Sequence, residues 1–130
     1  MTNSDGLVAA ARAARDHAVA PYSGFKVGAA LLTADGVIYG GCNVENATYG
    51  LTVCAERVAL LKALSEGARQ FVAVAVVADT EAPTPPCGAC RQLLWEYCGD
   101  IPVTMANLTR VSGVHQLSAL LPLPFDGRLL

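Results

Sequence analysis

The sequence has few charged side chains for its length. Asp, Glu, Lys and Arg make up 15% of its 130 residues, whereas a typical globular domain has about 25%. So few charges leave little to cover a small monomer, and we expect part of the apolar surface to be buried between subunits. The length favours one compact domain that spans residues 1–130. The composition therefore predicts a homo-oligomer of a single-domain protein.

Basic runs and abundant aromatic residues are also missing. The formal net charge is −2, no stretch concentrates Lys or Arg, and aromatic residues amount to 6%. A protein that binds polynucleotides needs a basic surface, because phosphate neutralisation supplies most of that affinity. We therefore expect a small-molecule substrate and no nucleic-acid partner.

No apolar stretch approaches the roughly 20 residues of a membrane-spanning helix. The Ala-rich N-terminal stretch is interrupted by Asp5, Arg12 and Arg15, whereas a secretory signal needs an uninterrupted apolar core. The five cysteines are an odd number, and two of them form a Cys-x-x-Cys. These features favour a metal in a reducing compartment over a disulfide framework, so we expect a cytoplasmic protein without membrane association.

The order of periodic segments predicts an α/β fold. A first helix that ends before Pro21 is predicted by apolar residues at helical spacing. These residues are Leu7, Ala11, Ala14 and Ala18. Further segments follow as strands 27–33, 37–42, 71–77, 102–105 and 111–114 and helices 54–65, 88–97 and 116–120. This order predicts a three-layer α/β/α architecture around one mixed five-stranded sheet.

Three cysteines have the spacing of a zinc site. Cys54 stands two residues before Glu56, and Cys87 and Cys90 follow Pro86 with Gly and Ala between them. Tetrahedral zinc takes four ligands, so three thiolates leave one position for water, whereas a fourth Cys or His would close a structural site. The three cysteines are therefore the candidate zinc ligands. Glu56 is the candidate catalytic residue, because it can act on the bound water without being a ligand.

Both halves of this motif lie where a loop enters a predicted helix. A helix N-terminus carries roughly +0.5 charge and free N–H groups, and it lowers the pKa of a thiol. Zinc with three thiolates has a formal charge of −1, which the two helix N-termini would partly offset. Arg57 is a further candidate, donating a hydrogen bond to a thiolate; the alternative is a solvated helix residue.

A closed structural zinc site is the alternative to a catalytic one. Cys42 or Cys98 would have to supply the fourth thiolate. Cys98 would lie about 12 Å further along its helix than Cys90, and Cys42 at a strand end is most simply a small buried residue. We therefore favour one catalytic zinc ion per chain.

The Cys-x-Glu…Pro-Cys-x-x-Cys arrangement resembles the all-cysteine form of the zinc nucleobase deaminase signature, and this resemblance implies hydrolytic deamination of a pyrimidine. Zinc lowers the pKa of its water towards ~7, zinc-bound hydroxide attacks C4, and Glu56 shuttles protons to ring N3 and to the departing amino group. A single carboxyl group that acts first as base and then as acid needs a pKa suited to both tasks.

Four stretches of the chain resemble the small homotetrameric cytidine deaminases. They are Pro21–Ala30, Gly41–Ala47, Cys54–Arg57 and Pro86–Gln92. The resemblance implies a cytidine deaminase-like fold and a Zn²⁺-dependent conversion of cytidine and 2′-deoxycytidine to uridine and 2′-deoxyuridine. Ammonia would be released, and the reaction would serve pyrimidine salvage.

The resemblance also implies substrate-binding residues. By it, Asn43 and Glu45 bind the sugar hydroxyls, Phe25 packs on the base, and the backbone around Ala55 reads the carbonyl edge of the ring. Without the resemblance, Asn43 and Glu45 would be interpreted as turn residues after a strand, and Phe25 as an ordinary core aromatic.

Members of this family are commonly tetramers in which neighbouring subunits complete each active site. Tyr49 and Phe125 match positions that reach across the subunit boundary in this way. Arg91 and Gln92 match the family's pattern, and neither has an assigned role.

Two other functions remain as alternatives. A different zinc deaminase, acting on a nucleoside antibiotic or a polynucleotide, is disfavoured by the Asn-x-Glu-Asn stretch and by the acidic net charge. The second alternative is a structural zinc protein that acts through its apolar surface.

Overall fold

The computed structural model describes residues 3–130 of the chain, with side chains from residue 5 onwards. It contains four helices and five strands, which in chain order are α1 Asn3–Arg15, β1 Val27–Thr33, β2 Ile38–Cys42, α2 Ala55–Ser65, β3 Phe71–Ala78, α3 Gly88–Cys98, β4 Pro102–Ala106, β5 Val111–Gln116 and α4 Leu117–Leu120. Two short 3₁₀ turns lie at Tyr49–Leu51 and Gly127–Leu129. Within this described range, no helix combines the length and apolar character that crossing a bilayer requires.

The five strands form one mixed sheet in the order β2-β1-β3-β4-β5. β1 pairs antiparallel with both β2 and β3, β3 runs parallel to β4, and β4 pairs antiparallel with β5. A parallel pair needs a crossover connection, and α3 lies in the crossover between β3 and β4. The connection therefore brings the start of α3 back beside the end of β3.

Alternating residues of the central strands face two different cores. Ala29 and Leu31 of β1 pack with α2 and α3, whereas Ala30 and Leu32 pack with α1. β3 behaves in the same way, because its run of apolar residues is buried on both faces of the sheet. The predicted three-layer architecture with a mixed five-stranded sheet is thereby confirmed.

The first helix is shorter than the sequence predicts, because it ends at Arg15 and not near Ala18. Val19 forms an isolated bridge with Val44 instead. The Val19 N–H donates to the Asn43 carbonyl at 3.0 Å, and the Val19 carbonyl accepts from the Glu45 N–H at 2.8 Å. These bonds to a distant segment hold the residues after α1 in an extended conformation.

Two glycines allow helices to lie directly on the sheet backbone. A Cβ atom at Gly28 would lie 2.0 Å from the carbonyl oxygen of Ala11 in α1. A Cβ atom at Gly41 would lie 2.5 Å from the nitrogen of Ala59 and 2.8 Å from the carbonyl oxygen of Ala55 in α2. Glycine at position 41 therefore sets how closely the beginning of α2 approaches β2.

Candidate active site

Two helix N-termini bring the three predicted zinc ligands together. Cys54 directly precedes α2 and Cys87 directly precedes α3, each in an extended conformation, while Cys90 lies in the first turn of α3. The three Sγ atoms lie within 4.8 Å of one another, and those of Cys87 and Cys90 are 3.4 Å apart. Neither cap residue makes a side-chain hydrogen bond to its helix, so both sulfurs remain free to bind a metal.

This cluster fits a zinc ion. Sulfur ligands at 2.3 Å from a tetrahedral zinc ion lie about 3.8 Å apart, a spacing that agrees with the observed separations. Across residues 3–130 no fourth Cys, His, Asp or Glu joins the group, so Cys42 and Cys98 lie outside it. The donor set therefore has the three-ligand composition of a catalytic site rather than the four-ligand composition of a structural one.

The close contact of the thiols makes one of them easy to ionise. The hydrogen bond with Cys90 lowers the pKa of the Cys54 thiol to about 5 against the opposing effect of burial, and the charge of Arg57 lowers it further. The same hydrogen bond, together with burial, raises the pKa of the Cys90 thiol. The cluster thus holds a thiolate readily even before a metal displaces the protons of the other thiols.

Glu56 lies in the first turn of α2, next to the ligand cluster, and only 5% of it is exposed. Burial raises the pKa of its carboxyl group, and the negative charge of Cys54 adds to this effect. A carboxyl group with a raised pKa can both accept and return a proton near neutral pH. The environment of Glu56 therefore suits a general acid–base.

Arg57 places its guanidinium beside the first ligand. Its Nη2 atom lies 3.9 Å from the Sγ atom of Cys54, and its Nε atom is buried without a hydrogen-bond partner. A cation at this position opposes the negative charge that three thiolates accumulate.

Asn43 supports the segment that carries Phe25. Its Nδ2 atom donates to the Phe25 carbonyl at 2.8 Å, and its Oδ1 atom accepts from the Val27 N–H at 2.9 Å. An amide group offers two donor hydrogens and two acceptor lone pairs. One donor and one acceptor of Asn43 therefore remain for another partner.

Glu45 supports the same segment from its other end. Its Oε1 atom accepts from the N–H groups of Tyr22 at 3.0 Å and Ser23 at 3.1 Å, and its Oε2 atom accepts from the Ser23 hydroxyl. The hydrogen bonds from Ser23, first that of the hydroxyl, lower the pKa of Glu45. The side chain is therefore a carboxylate at neutral pH.

A cavity of about 370 Å³ lies over this carboxylate. Its lining residues are Tyr22, Ser23, Glu45, Asn46, Tyr49 and Thr52. Tyr49 at its rim is 78% exposed. Three other residues predicted to bind substrate do not line this cavity. Phe25 and Phe125 are exposed elsewhere on the surface, and Ala55 is fully buried at the start of α2.

Helix α3 also binds the C-terminal segment, which the sequence patterns did not indicate. Gln92 donates from Nε2 to the Phe125 carbonyl at 2.6 Å, and Trp95 donates from Nε1 to the carboxylate of Asp126 at 2.9 Å. Arg91 donates to the carbonyl of Pro86, directly before Cys87, at 2.7 Å. Gln92 and Trp95 are three positions apart on one helix face, which could have indicated a shared partner segment. The identity of that segment could not be predicted, because it is distant in the sequence.

Known proteins share both the sequence and the fold of this chain. Residues 1–105 match the family model of the cytidine and deoxycytidylate deaminase zinc-binding region. The chain is 53% identical over 121 residues to a cytidine deaminase of Sporosarcina psychrophila, covering 92% of this chain and 89% of that protein. It is 56% identical over 117 residues to a cytidine deaminase of Halalkalibacterium halodurans, covering 89% of each.

A solved structure gives the same result in three dimensions. The 1.6 Å crystal structure of cytidine deaminase from Burkholderia pseudomallei superposes with a TM-score of 0.91 at 51% sequence identity, covering 96% of this chain and 100% of that chain. The family match, the identity over nine-tenths of the chain and the three-thiol cluster agree. The chain therefore belongs to the cytidine and deoxycytidylate deaminase family.

Proposed function

We propose that the protein is a zinc-dependent cytidine deaminase that hydrolyses cytidine and 2′-deoxycytidine to uridine and 2′-deoxyuridine with release of ammonia. The observation that carries this proposal is the placement of a buried acid–base, Glu56, beside three thiols at two helix N-termini. A structural zinc site has no use for a buried carboxylate that is not a ligand.

Cys54, Cys87 and Cys90 would hold one zinc ion per chain. When bound, zinc supplies Lewis-acid chemistry, lowering the pKa of a water molecule towards ~7 so that a nucleophile exists at neutral pH. The helix N-termini behind Cys54 and Cys87, together with Arg57, offset the charge of the three thiolates.

Glu56 moves the protons of the reaction. Its carboxylate takes a proton from the nucleophilic water and delivers it to N3 of the pyrimidine ring, which makes C4 electrophilic. After the oxygen has added to C4, the carboxylate takes the proton of the new C4 hydroxyl group and donates it to the amino group, which leaves as ammonia while the C4 carbonyl forms. Burial of Glu56 keeps the pKa of this carboxyl within reach of both steps.

The nucleoside would lie along the segment that Asn43 and Glu45 support. Asn43 has one donor and one acceptor left, and Glu45 has one acceptor position left on Oε2, so each has unused hydrogen-bonding capacity for a sugar hydroxyl. Phe25 would pack on the base, and the backbone around Ala55, at the positive end of α2, would meet the carbonyl edge of the ring.

A second copy of the chain would complete the site. Phe125 and Tyr49 are 60% and 78% exposed in one chain, whereas phenylalanine is usually buried and tyrosine usually at least half-buried. We propose a homotetramer with shared active sites, in which these two residues contact the substrate bound to a neighbouring subunit. The low charge content supports such an assembly.

We also propose that the enzyme works in the cytoplasm, in pyrimidine salvage. The five cysteines of the chain are free, which supports a reducing compartment. The uridine and deoxyuridine that it forms are substrates for enzymes that act on nucleosides.

A turnover assay tests the proposed function directly. The zinc-loaded protein is mixed separately with cytidine, 2′-deoxycytidine, cytosine and a cytosine-containing oligonucleotide, and ultraviolet absorbance and ammonia are followed. We expect turnover of the two nucleosides alone. Turnover of the oligonucleotide would indicate a polynucleotide editor, and no turnover of any of them would leave the structural zinc protein.

A further inference from the structure

We propose that Ser23 is a positioning residue that fixes the Glu45 carboxylate for the sugar hydroxyls of the substrate and connects it to the backbone of Phe25. This inference rests on the proposed function, in which Glu45 binds the sugar and Phe25 packs on the base. Neither the sequence motif nor the family match assigns Ser23 such a role.

The hydrogen bonds of Glu45 leave a single place for the substrate. A carboxylate has about four acceptor positions on its two oxygens. The N–H groups of Tyr22 and Ser23 occupy both positions of Oε1, and the Ser23 hydroxyl occupies one position of Oε2. The remaining acceptor position is therefore on the oxygen atom whose direction the Ser23 hydroxyl sets.

The same hydroxyl reaches the residue that would contact the base. The Phe25 N–H donates to Ser23 Oγ at 3.0 Å. Because a serine hydroxyl has one proton and two lone pairs, it can donate to Glu45 and accept from Phe25 at the same time. The Phe25 carbonyl in turn accepts from Asn43. The peptide groups on both sides of Phe25 are thus connected to the two residues proposed to bind the sugar.

The position of Ser23 gives the substrate access to this arrangement. Ser23 is exposed and Glu45 is half-buried, and both line the cavity of about 370 Å³. The carboxylate is ionised and can only accept, so the hydroxyl of Ser23 must be the donor, and a sugar hydroxyl would donate to the same oxygen. Loss of the Ser23 hydroxyl would leave the carboxylate held only by the two N–H groups that bind Oε1, so the direction of Oε2 would be less closely fixed.

The test is the variant Ser23→Ala measured with two substrates. A hydrogen bond to a charged group contributes enough for about a tenfold change. We expect the KM for cytidine to rise about tenfold, with kcat within about twofold. The KM for 2′,3′-dideoxycytidine, which lacks both secondary sugar hydroxyls, should rise much less, because only the contact of its base with Phe25 can be affected; if its turnover is too slow, its competitive inhibition constant is measured instead. Ser23→Thr, which keeps the hydroxyl, should restore most of the affinity for cytidine.

Two controls separate this role from a general effect on folding. Ser65 bonds to the Lys62 carbonyl at the far end of α2, and Ser65→Ala should leave both substrates unaffected. In a Glu45→Gln background, Ser23→Ala should add no further loss, because its effect passes through the carboxylate.

The outcomes distinguish Ser23 from the rest of the site. The proposal for Ser23 is wrong, and the proposed function stands, if Glu45→Gln selectively weakens the binding of cytidine but Ser23→Ala does not. Ser23→Ala would fail this test either by having no effect or by weakening the binding of both substrates equally. If Glu45→Gln shows no preference between the two substrates, Glu45 does not bind the sugar and Ser23 loses its role with it. Selective loss of cytidine in both variants supports the proposal.

Discussion

The candidate zinc centre includes side chains that are buried inside one subunit, whereas the candidate substrate-binding surface includes aromatic side chains that are strongly exposed. Cys90 and Glu56 are 0% and 5% exposed, while Tyr49 and Phe125 are 78% and 60% exposed. The first region is fixed by two helices that pack against the sheet, and the second by hydrogen bonds from loops. One chain thus supplies all three candidate zinc ligands, whereas the aromatic residues proposed to contact the nucleoside remain uncovered in it.

Removal of a zinc ligand should break the first region completely. We expect Cys87→Ala to lose bound zinc and at least about 10³-fold of the deaminase activity, because no nucleophile forms near neutral pH without the metal. Zinc content by atomic absorption and turnover of cytidine are measured together. Cys42→Ala, which changes a cysteine outside the cluster, is the control. A metal-free Cys87→Ala enzyme with full activity would refute the zinc mechanism.

Glu56→Gln should separate metal binding from proton transfer. We expect full zinc content and a loss of about 10²–10⁴ in kcat, since the amide cannot carry a proton. The variant should unfold at no lower temperature than the wild type, because the amide avoids the cost of a buried charge. Glu66→Gln, at the exposed C-terminal end of α2, serves as the control. Normal turnover in zinc-loaded Glu56→Gln would exclude Glu56 as the acid–base.

Phe125→Ala tests whether the exposed surface is completed by a second copy. Stacking of a base on an aromatic ring contributes about 1–3 kcal/mol, so we expect the KM for cytidine to rise about tenfold while zinc content stays normal. Sedimentation should show a weaker assembly than that of the wild type. Leu129→Ala alters another exposed apolar residue of the same segment and controls for a general loss of surface area. A monomeric wild type with an unchanged KM in Phe125→Ala would mean that one chain forms the whole site.

The smallest expected effect concerns Cys98, a thiol that lies outside the ligand cluster. Burial raises the pKa of Cys98 to about 12, whereas an unfolded chain loses this proton near pH 8.5. Between these values the unfolded state binds fewer protons than the folded state, so folding stability falls as pH rises. Between pH 7 and pH 10 the free energy of unfolding of the wild type should therefore fall by about 1–2 kcal/mol more than that of Cys98→Ala. Urea unfolding at the two pH values measures this difference. An equal change in the free energy of unfolding for both proteins would contradict the prediction.

Local patterns in the sequence were sufficient to predict most of the fold and the grouping of the three thiols. The apolar runs of β1 and β3 and the thiol spacing in α3 depend on neighbouring residues, and the structure has these elements within one or two residues of the predicted bounds. The positions of the candidate zinc ligands at helix N-termini could be predicted, because a loop-to-helix boundary is itself a local signal in the sequence.

Contacts between distant segments account for what the sequence did not predict. The early end of α1 follows from the bridge between Val19 and Val44. The partners of Ser23, Gln92 and Trp95 are 22, 33 and 31 positions away in the sequence. No periodicity or spacing rule indicates such pairs, because they exist only once the segments have packed.

The missing side chain at position 41 has a further consequence. Peptide atoms of α2 occupy the space that a methyl group would need there, so Gly41→Ala would push the helix away from the strand. Cys54 and Glu56 would shift with it as a rigid unit. A substitution that touches neither the metal nor the substrate would thus impair zinc retention and proton transfer together, which would make this glycine as intolerant of change as a ligand.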